Sequence, residues 1–430
     1  MISASNRIIT IVTIVAVALA IIVASAVYKD MNGSSSRGVY LDPRSGYIEA
    51  RIGVMADLTG PTRDIGRGYY QGVMAALLYF NATGVETSDG KRVVFHVRSA
   101  DHQYKPYLAE EYYNQFKQYG ILAIIGYGTA DSIYISDEVQ RDRVLYISAS
   151  YASTIARNPY IFYPAPDYAT QACTGVAWAA NHVSGTRLAL VYDFDTAYGR
   201  DPIPALMHLA SRLGLEIAGE VDLNLDADEA SMVEATRRLV KLDPDMVWCG
   251  GDLDSCASLV RALSTTSLDP VFVVNVWGFG EQFPLLAGEY SYGRTFGISP
   301  FMYPSMARER DLPGWYVLRD AAETLDIPVE EVNVRFVQGF LNGWLLVQAI
   351  ERTSSSQLLQ HGGEALKESL ESSCTGEPFT FGGLTAEEAR FCPGHHSAFD
   401  KVFIMEVGVD GVVRVADVTE PPPGLRCSGQ

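Results

Sequence analysis

The feature that most constrains this chain is a regular alternation of apolar strands and amphipathic helices. The segment 47–58, "YIEARIGVMADL", carries the apolar run of a buried strand, and the segment 66–81, "GRGYYQGVMAALLYFN", places apolar residues on one helical face. The same pairing of a strand with a helix recurs along most of the chain. Strands this apolar, each followed by an amphipathic helix, predict parallel sheets that helices cover on both faces.

The alternation forms two series, and 430 residues are enough to bury more than one core. We therefore predict an α/β fold with two Rossmann-like lobes. The later strands of the first series lie at 92–101, 122–128 and 144–150, and those of the second lie at 187–195, 216–223, 245–251 and 271–277.

The start of the chain differs from the rest, because 8–27 is an uncharged apolar run that follows Arg7. Its length is sufficient to span about 30 Å of hydrocarbon, whereas Ala24 and Ala26 form an A-x-A cleavage signal. The segment 1–27 is therefore either a cleaved signal peptide or a retained membrane anchor. Both alternatives place the remaining chain outside the cytoplasm. The segment 28–46 is predicted to be a flexible linker.

The charge of the chain argues against nucleic acid as a partner. The sequence has 33 basic and 51 acidic residues, a formal net charge of −18, and no block of Lys or Arg that could follow a phosphate backbone. An acidic balance of this kind mainly indicates solubility.

Six cysteines can form disulfides in an extracytoplasmic protein. Cys374 and Cys392 flank a glycine-rich loop and are the predicted bridge. Cys249 and Cys256 are a further candidate pair, and Cys427 is expected to be unpaired. No spacing of Cys and His indicates a zinc site, and no cofactor is predicted.

The candidate binding residues lie in loops after the predicted strands, because ligands of open α/β sheets bind outside the carboxyl ends of the strands. Gly and Ser in such loops also cap helices, so each residue has a structural alternative. The loops are at 57–66, 126–132, 148–153, 193–199, 250–255 and 275–280.

Aromatic residues are frequent in these loops. In "VYDFDTAYGRD" (191–201), Tyr198 is expected to be exposed at a strand-to-helix turn and to face the cleft. Tyr127, Tyr151 and Trp277 join it, which favours an apolar or aromatic ligand group. Arg63 in the first loop is an alternative contact for an anionic group.

Several ordered motifs carry a resemblance: "IGVMADLTGP", "AIIGYGTADS", "LYISASYAS", "LALVYDFDTAYGRD" and "DMVWCGGDLDSCASLVRAL". They resemble those of the periplasmic leucine/isoleucine/valine-binding proteins, the class I substrate-binding proteins of ABC transporters. The resemblance implies two lobes joined by three chain crossings. It implies lobe 1 at 47–164 and 298–398, lobe 2 at 165–297 and 399–420, and a loose tail at 421–430.

The resemblance also implies a ligand site. In this family, hydroxyls and backbone N–H groups hold the ligand carboxylate, and acids with an aromatic wall hold its ammonium. Thr129, Ser150 and Ala152 stand at the carboxylate contacts. Asp167 occupies the position of an acid that binds the ligand ammonium in this family, and Tyr198 occupies the position of the aromatic wall.

Two departures from the family pattern affect that site. Ala152 replaces a usual Thr and removes a side-chain donor. Members of this family usually have an acidic residue after the last strand of lobe 2. That acid is missing from this chain, and Asn275 and Trp277 lie near its position. Asp252 is either its substitute or the N-cap of the following helix.

The sequence contains no G-x-S-x-G, GK[ST] or H-E-x-x-H motif, which argues against an α/β enzyme. The resemblance implies a solute-binding protein that captures an amino acid or amide-like solute for an ABC importer. The alternative is the ligand-binding sensor ectodomain of a membrane receptor complex.

Overall fold

A computed structural model of the chain describes residues 38–225 and 227–423, and within them the chain forms two lobes, each built on one sheet. The sheet of lobe 1 contains β1 (Val39–Leu41), β2 (Ile48–Ala56), β3 (Val85–Glu86), β4 (Arg92–Asp101), β5 (Ala123–Gly126), β6 (Leu145–Ser148) and β7 (Ile161–Phe162).

The strand order of lobe 1 is β3-β4-β2-β5-β6-β7, with β1 added to β2. The central pairs are parallel, whereas β1 and β3 pair in the antiparallel sense. Strands β5 and β6 are buried along their whole length, as expected in a sheet that is covered on both faces. The helices between these strands are α1 (Arg63–Thr83), α2 (Pro106–Tyr119), α3 (Thr129–Tyr134) and α4 (Ser136–Asp142).

The sheet of lobe 2 contains β8 (Arg187–Tyr192), β9 (Glu216–Asp222), β10 (Met246–Cys249), β11 (Val271–Val274), β12 (Thr295–Ser299), β13 (Val402–Val407) and β14 (Val413–Thr419). Its described strands have the order β14-β13-β12-β11-β10-β8-β9. The neighbouring strands from β12 through β11, β10 and β8 to β9 pair in the parallel sense. The helices are α5 (Tyr168–His182), with which lobe 2 begins, α6 (Ala197–Arg200), α7 (Ile203–Leu213), α8 (Glu229–Leu242), α9 (Leu253–Leu263) and α10 (Phe283–Ala287).

The described chain passes between the two sheets after β7, after β12 and before β13. After the second passage it returns to lobe 1 as helices, and after the third it adds an antiparallel hairpin to β12 in lobe 2. These elements are α11 (Pro304–Glu309), α12 (Pro313–Glu323), α13 (Val334–Glu351), α14 (Ser355–His361), α15 (Gly363–Glu371), β13 (Val402–Val407) and β14 (Val413–Thr419).

Helix α13 returns to lobe 1 by packing against α1. Glycines permit this close approach of two helix backbones. A Cβ on Gly72 would lie 2.0 Å from the Phe336 carbonyl oxygen, and a Cβ on Gly339 would lie 1.9 Å from the Tyr69 carbonyl oxygen. A side chain at either position would therefore force the two helices apart.

The predicted α/β fold with two parallel sheets and three crossings is confirmed, whereas the residue limits of the lobes stay predictions. Part of the predicted linker is folded: β1 pairs with β2, and Val39 is buried. The flexible linker predicted for 28–46 is therefore wrong for the residues of β1, and 28–37 lie outside the described residues. The predicted signal or anchor at 1–27 lies outside the described residues, as does most of the predicted tail.

Two disulfides are present in the described chain. Cys374 and Cys392, which flank the glycine-rich loop, form one of them. Cys249 at the end of β10 and Cys256 on α9 form the other. Cys427 lies outside the described residues. No helix in residues 38–225 and 227–423 is both long and apolar enough to cross a membrane.

Candidate functional site

A cavity lies between the lobes, where the carboxyl ends of strands from both sheets face each other. Its volume is about 30 Å³, which is room for about two water molecules. A solute the size of an amino acid therefore enters only when the lobes or the lining side chains move apart. Lobe 1 contributes Thr62, Ile65, Tyr104, Tyr127, Gly128, Thr129 and Ala149, and lobe 2 contributes Tyr168, Tyr198, Leu225, Asp252 and Trp277.

The turn after β2 brings Thr62 to the cavity, and a buried carboxylate holds this turn in shape. Asp57 accepts hydrogen bonds from the backbone N–H of Gly60 (2.5 Å) and from both the N–H (2.8 Å) and the hydroxyl (2.9 Å) of Thr62. These bonds satisfy polar groups that would otherwise be buried without partners. The sequence "DLTG" thus folds into a fixed turn at the mouth of the cavity.

Tyr104 reaches the cavity through an unusual backbone. Gln103 and Tyr104 have φ values of 55° and 56°, which lie in the left-handed region that side chains rarely adopt. The N–H of Tyr104 donates to Nδ1 of the buried His102 (3.1 Å) and helps to hold this conformation. Two consecutive residues of this kind after β4 aim the tyrosine at lobe 2.

The aromatic lining residues meet one another at steep angles. The rings of Tyr127 and Trp277 lie 6.0 Å apart at 79°, and those of Tyr168 and Tyr198 lie 5.4 Å apart at 77°. Edge-to-face contacts of this kind are favourable between aromatic rings. Behind the cavity, Tyr151 stacks on Trp277 at 5.6 Å and 13°.

The polar tips of these aromatic residues contact protein groups. The Tyr198 hydroxyl donates to Asn275 Oδ1 (2.7 Å) and lies 3.0 Å from the Gly251 carbonyl oxygen. The Trp277 indole N–H donates to the Tyr168 hydroxyl (2.9 Å). Tyr198 is only 6% exposed, so its predicted exposure is wrong: neighbouring aromatic and polar groups of lobe 2 enclose it.

Asp252 supplies the acidic group of the cavity. It also caps α9, since its Oδ1 accepts from the Ser255 N–H at 2.9 Å, which confirms the N-cap alternative. Because Asp252 lines the cavity as well, its role as the substitute acid stays a prediction. Burial raises the pKa of Asp252 to about 6. None of the described lining residues is Lys, Arg or His. Arg63, the predicted alternative for an anionic group, is exposed and does not line the cavity.

Direct hydrogen bonds join the lobes beside the cavity. The N–H and hydroxyl of Ser153, which follows β6, donate to Asp201 Oδ1 at 3.0 and 2.9 Å. Burial raises the pKa of Asp201 to about 6. The hydroxyls of Thr129 and Tyr168 form a second bridge at 3.2 Å. The cleft is therefore closed by specific polar contacts as well as by aromatic packing.

Arg335 on α13 forms a third bridge, to the loop that follows β11. Its guanidinium is buried and donates to the carbonyl oxygens of Val276 (2.8 Å), Trp277 (2.8 Å) and Phe279 (2.9 Å). Glu281 accepts from the Val334 N–H (2.9 Å) at the same contact. A residue of lobe 1 thereby fixes the lobe 2 loop that carries Trp277.

A buried acid and histidine lie one layer behind the cavity. Asp131 Oδ2 is 3.4 Å from His102 Nδ1, and both side chains are almost inaccessible. Burial raises the pKa of Asp131 to about 8, with a further contribution from the charge of Asp57, and burial lowers the pKa of His102 to about 4. At neutral pH, Asp131 is therefore protonated and His102 is unprotonated, so this pair carries no charge.

A larger groove, of about 690 Å³, lies between α8 and α9 on the outside of lobe 2. Residues of these two helices line it, and no strand end reaches it. In the described residues, no group of three or more His, Cys, Asp or Glu side chains could hold a metal ion.

Comparison with protein families matches residues 49–411 to a model described as "periplasmic binding protein". The chain belongs to the class I periplasmic binding proteins of ABC transporters. This membership indicates an extracytoplasmic location for the described domain. No curated protein sequence matches significantly.

Solved structures of this binding-protein family extend the comparison. An ABC transporter substrate-binding protein of Aeropyrum pernix is 44% identical, with a TM-score of 0.85 over 88% of this chain and 98% of its own. A branched-chain amino acid transporter protein of Thermus thermophilus with bound valine is 21% identical, with a TM-score of 0.76 and coverages of 88% and 97%. A solute-binding protein of Rhodopseudomonas palustris with p-hydroxybenzoic acid is 17% identical, with a TM-score of 0.70 and coverages of 87% and 98%.

Five residues that the sequence placed in the site of this binding protein line the cavity, namely Tyr127, Thr129, Tyr198, Asp252 and Trp277. Three others support lining residues without lining the cavity themselves. The Ser150 hydroxyl donates to Thr129 Oγ1 (3.0 Å), Tyr151 stacks on Trp277, and Asn275 holds the Tyr198 hydroxyl.

The structure does not bring Ala152 or Asp167 to the cavity. Ala152 is fully buried, and its N–H donates to the Ser150 hydroxyl (3.3 Å). Asp167 caps α5 by accepting from the Thr170 N–H (2.7 Å), because it lies at the chain crossing where that helix begins. The ammonium contact that the resemblance implied for Asp167 is not available in this arrangement.

The prediction from sequence missed Tyr104 and Tyr168. The signal for Tyr104 was present, because "DHQYKP" follows the end of β4 just as the chosen loops follow other strands. Tyr168 is the first residue of α5, next to the acid that was chosen instead.

Proposed function

We propose that this binding protein captures a small amino acid or amide-like solute between its lobes and delivers it to an ABC importer. The observation that carries this proposal is the aromatic cavity enclosed by strand ends of both lobes and closed by Ser153, Asp201 and Arg335. Binding at the carboxyl ends of α/β sheets is the general rule for this architecture.

The chemistry of the cavity supports a solute with a positively charged or neutral nitrogen. Asp252 is available to a cation, and Thr62 and Thr129 bring hydroxyl groups. Valine is bound in the Thermus protein. An anion such as the p-hydroxybenzoic acid of the Rhodopseudomonas protein is less suited, because no described lining residue here is a cation.

A thermal-shift screen of the purified protein against amino acids, amides and small acids tests the proposal. Binding to the folded state raises stability by about 2.7 kcal/mol at a hundredfold excess over the dissociation constant. Trp277→Leu should abolish the shift. Trp178→Leu is the matched control, since Trp178 lies on α5, away from the cavity, and donates to Asp417. Failure of every small solute to shift the transition would contradict the proposal.

The proposal includes binding without chemical change. Equilibrium dialysis followed by mass spectrometry should recover one equivalent of unaltered solute per chain. Recovery of an altered solute would instead indicate an enzyme.

We propose further that segment 1–27 directs the protein across a membrane, with the lobes on the outside. Sequencing the N-terminus of exported protein distinguishes the two forms. A start at Val27 indicates cleavage after Ala26, and an intact Met1 in the membrane fraction indicates an anchor.

A further inference from the structure

The walls of the cavity consist largely of tyrosine rings. Tyr104, Tyr127, Tyr168 and Tyr198 all line it, and we call these four residues the tyrosine cage. Tyr104 and Tyr127 lie 6.4 Å apart at 60°, and Tyr168 meets Tyr198 at 77°. Rings at such angles form adjacent walls around a compact group.

The hydroxyls of the tyrosine cage interact with the protein, which leaves ring surface for a ligand. The Tyr127 hydroxyl lies near the Thr62 side chain, and the Tyr104 hydroxyl lies near the backbone of Thr129. The hydroxyls of Tyr168 and Tyr198 are held by Trp277 and by Asn275. The accessible lining of the cavity is mostly apolar, which suits a nitrogen that carries alkyl groups better than a primary ammonium with three N–H donors.

The charge of the cavity is negative. Asp252 lines it, and its Oδ2 has no hydrogen bond to the protein in the described contacts, whereas Oδ1 caps α9. The nearest cation is Arg335, whose guanidinium donates to three backbone carbonyls of the loop at 276–279. The charge of Arg335 interacts with Glu281 as well as with Asp252, so this one cation is shared between two acids.

We propose that the recognised end of the solute is an alkylated, positively charged nitrogen, held by the tyrosine cage and Asp252. Aromatic faces attract such a cation through their quadrupoles, and this attraction requires no hydrogen bond from the ligand. The inference rests on the proposed function and narrows its ligand from nitrogen-containing solutes in general to alkylammonium compounds.

Two series of three solutes, measured by titration calorimetry, separate charge from shape. The first is ethanolamine, choline and 3,3-dimethylbutanol, and the second is glycine, glycine betaine and 3,3-dimethylbutanoate. Each contains a primary ammonium, a trimethylammonium and a carbon analogue of equal shape, in which a neutral tert-butyl group replaces the trimethylammonium. In at least one series the trimethylammonium compound should bind at least tenfold more tightly than both of the others.

Substitution of the acid tests the role of charge. Asp252→Asn keeps the helix cap but removes the charge, so binding of the trimethylammonium solute should weaken at least tenfold and binding of the carbon analogue should not. Asp228→Asn is the matched control, because Asp228 caps α8 in the same way, accepting from the Ser231 N–H at 2.8 Å, and lies outside the cavity.

The outcomes distinguish this inference from the proposed function. Equal binding of the carbon analogue, or tighter binding of the primary ammonium, would overturn the cation inference and leave solute capture intact. If a common amino acid such as leucine binds and no solute of either series does, the cation inference is also overturned and solute capture stands. Absence of binding by every solute tried would overturn both.

Discussion

Ser153 and Asp201 connect the two lobes through two hydrogen bonds to one carboxylate oxygen, from the backbone N–H (3.0 Å) and from the hydroxyl (2.9 Å) of Ser153. Ser153 follows β6 of lobe 1, and Asp201 follows α6 of lobe 2. The contact exists only while the lobes are together, so its energy contributes to closure rather than to either lobe alone.

We predict that Ser153→Ala weakens solute binding by about 1.5–3 kcal/mol, the usual contribution of a hydrogen bond to a charged group. Ser355→Ala is the matched control. The N–H and hydroxyl of Ser355 donate to Asp89 in the same manner (2.7 and 2.6 Å), but both residues belong to lobe 1. Calorimetry should show weaker binding for the first variant only, and equal losses would indicate a general effect on stability.

Tyr198 combines a cavity-lining ring with a buried hydroxyl. Tyr198→Ala should weaken solute binding by about 2 kcal/mol or more, because a desolvated aromatic anchor is lost. Tyr198→Phe keeps the ring and removes the bond to Asn275, so it should lower the free energy of unfolding by about 1 kcal/mol and alter binding less. If the alanine variant binds as tightly as the parent, the tyrosine serves only for packing.

The disulfide between Cys249 and Cys256 encloses the loop that carries Asp252. Replacing both cysteines by alanine should lower stability by about 2–3 kcal/mol and also weaken binding, since the acid loses a fixed position. Removal of the Cys374–Cys392 bridge is the control, because it lies outside the cavity and should lower stability alone. Parallel denaturation and calorimetry distinguish the two effects.

Asp131 gives a test of the buried layer behind the cavity. Its pKa of about 8 lies above that of an unfolded Asp, so its contribution to stability is complete below about pH 4. That contribution is lost as the pH rises from about 4 to about 8, by about 1.4 kcal/mol per pH unit at most. We predict that Asp131→Asn gains stability relative to the parent over this range.

The measurement is denaturant unfolding of both proteins at pH 5, 6.5 and 8. The difference should grow with pH and level off above about 8. His102 and Asp57 face Asp131 and are retained in both proteins, so their own titration largely cancels from the difference. A difference that does not vary with pH would show that Asp131 is ionised in the fold.

The sequence predicted the fold well because its signal is local. Apolar strands and helical faces recur in β2, α1, β5 and β8, and each is visible within a single short segment. The lining residues Thr129 and Trp277 were found because they follow such strands directly. Their position needed no knowledge of contacts between the lobes.

The parts of the site that were missed depend on contacts that a short segment does not contain. Tyr104 reaches the cavity because the backbone at Gln103 and Tyr104 adopts the left-handed conformation, which neither residue type indicates. Tyr198 is buried because Tyr168 and Asn275 meet it from distant parts of the chain. Asp167 lies away from the cavity because it caps α5 at the chain crossing, and the position of that crossing depends on contacts between distant parts of the chain.

Capture of a solute by this protein requires that the solute binds in the cavity between the lobes. The most direct test is a crystal structure of the complex with the tightest solute from the calorimetric series. We predict that the solute lies within about 4 Å of Tyr127, Tyr198 and Asp252, with both lobes in contact with it. If the solute lies instead in the groove between α8 and α9 and the cavity is unchanged, the cavity between the lobes is not the binding site.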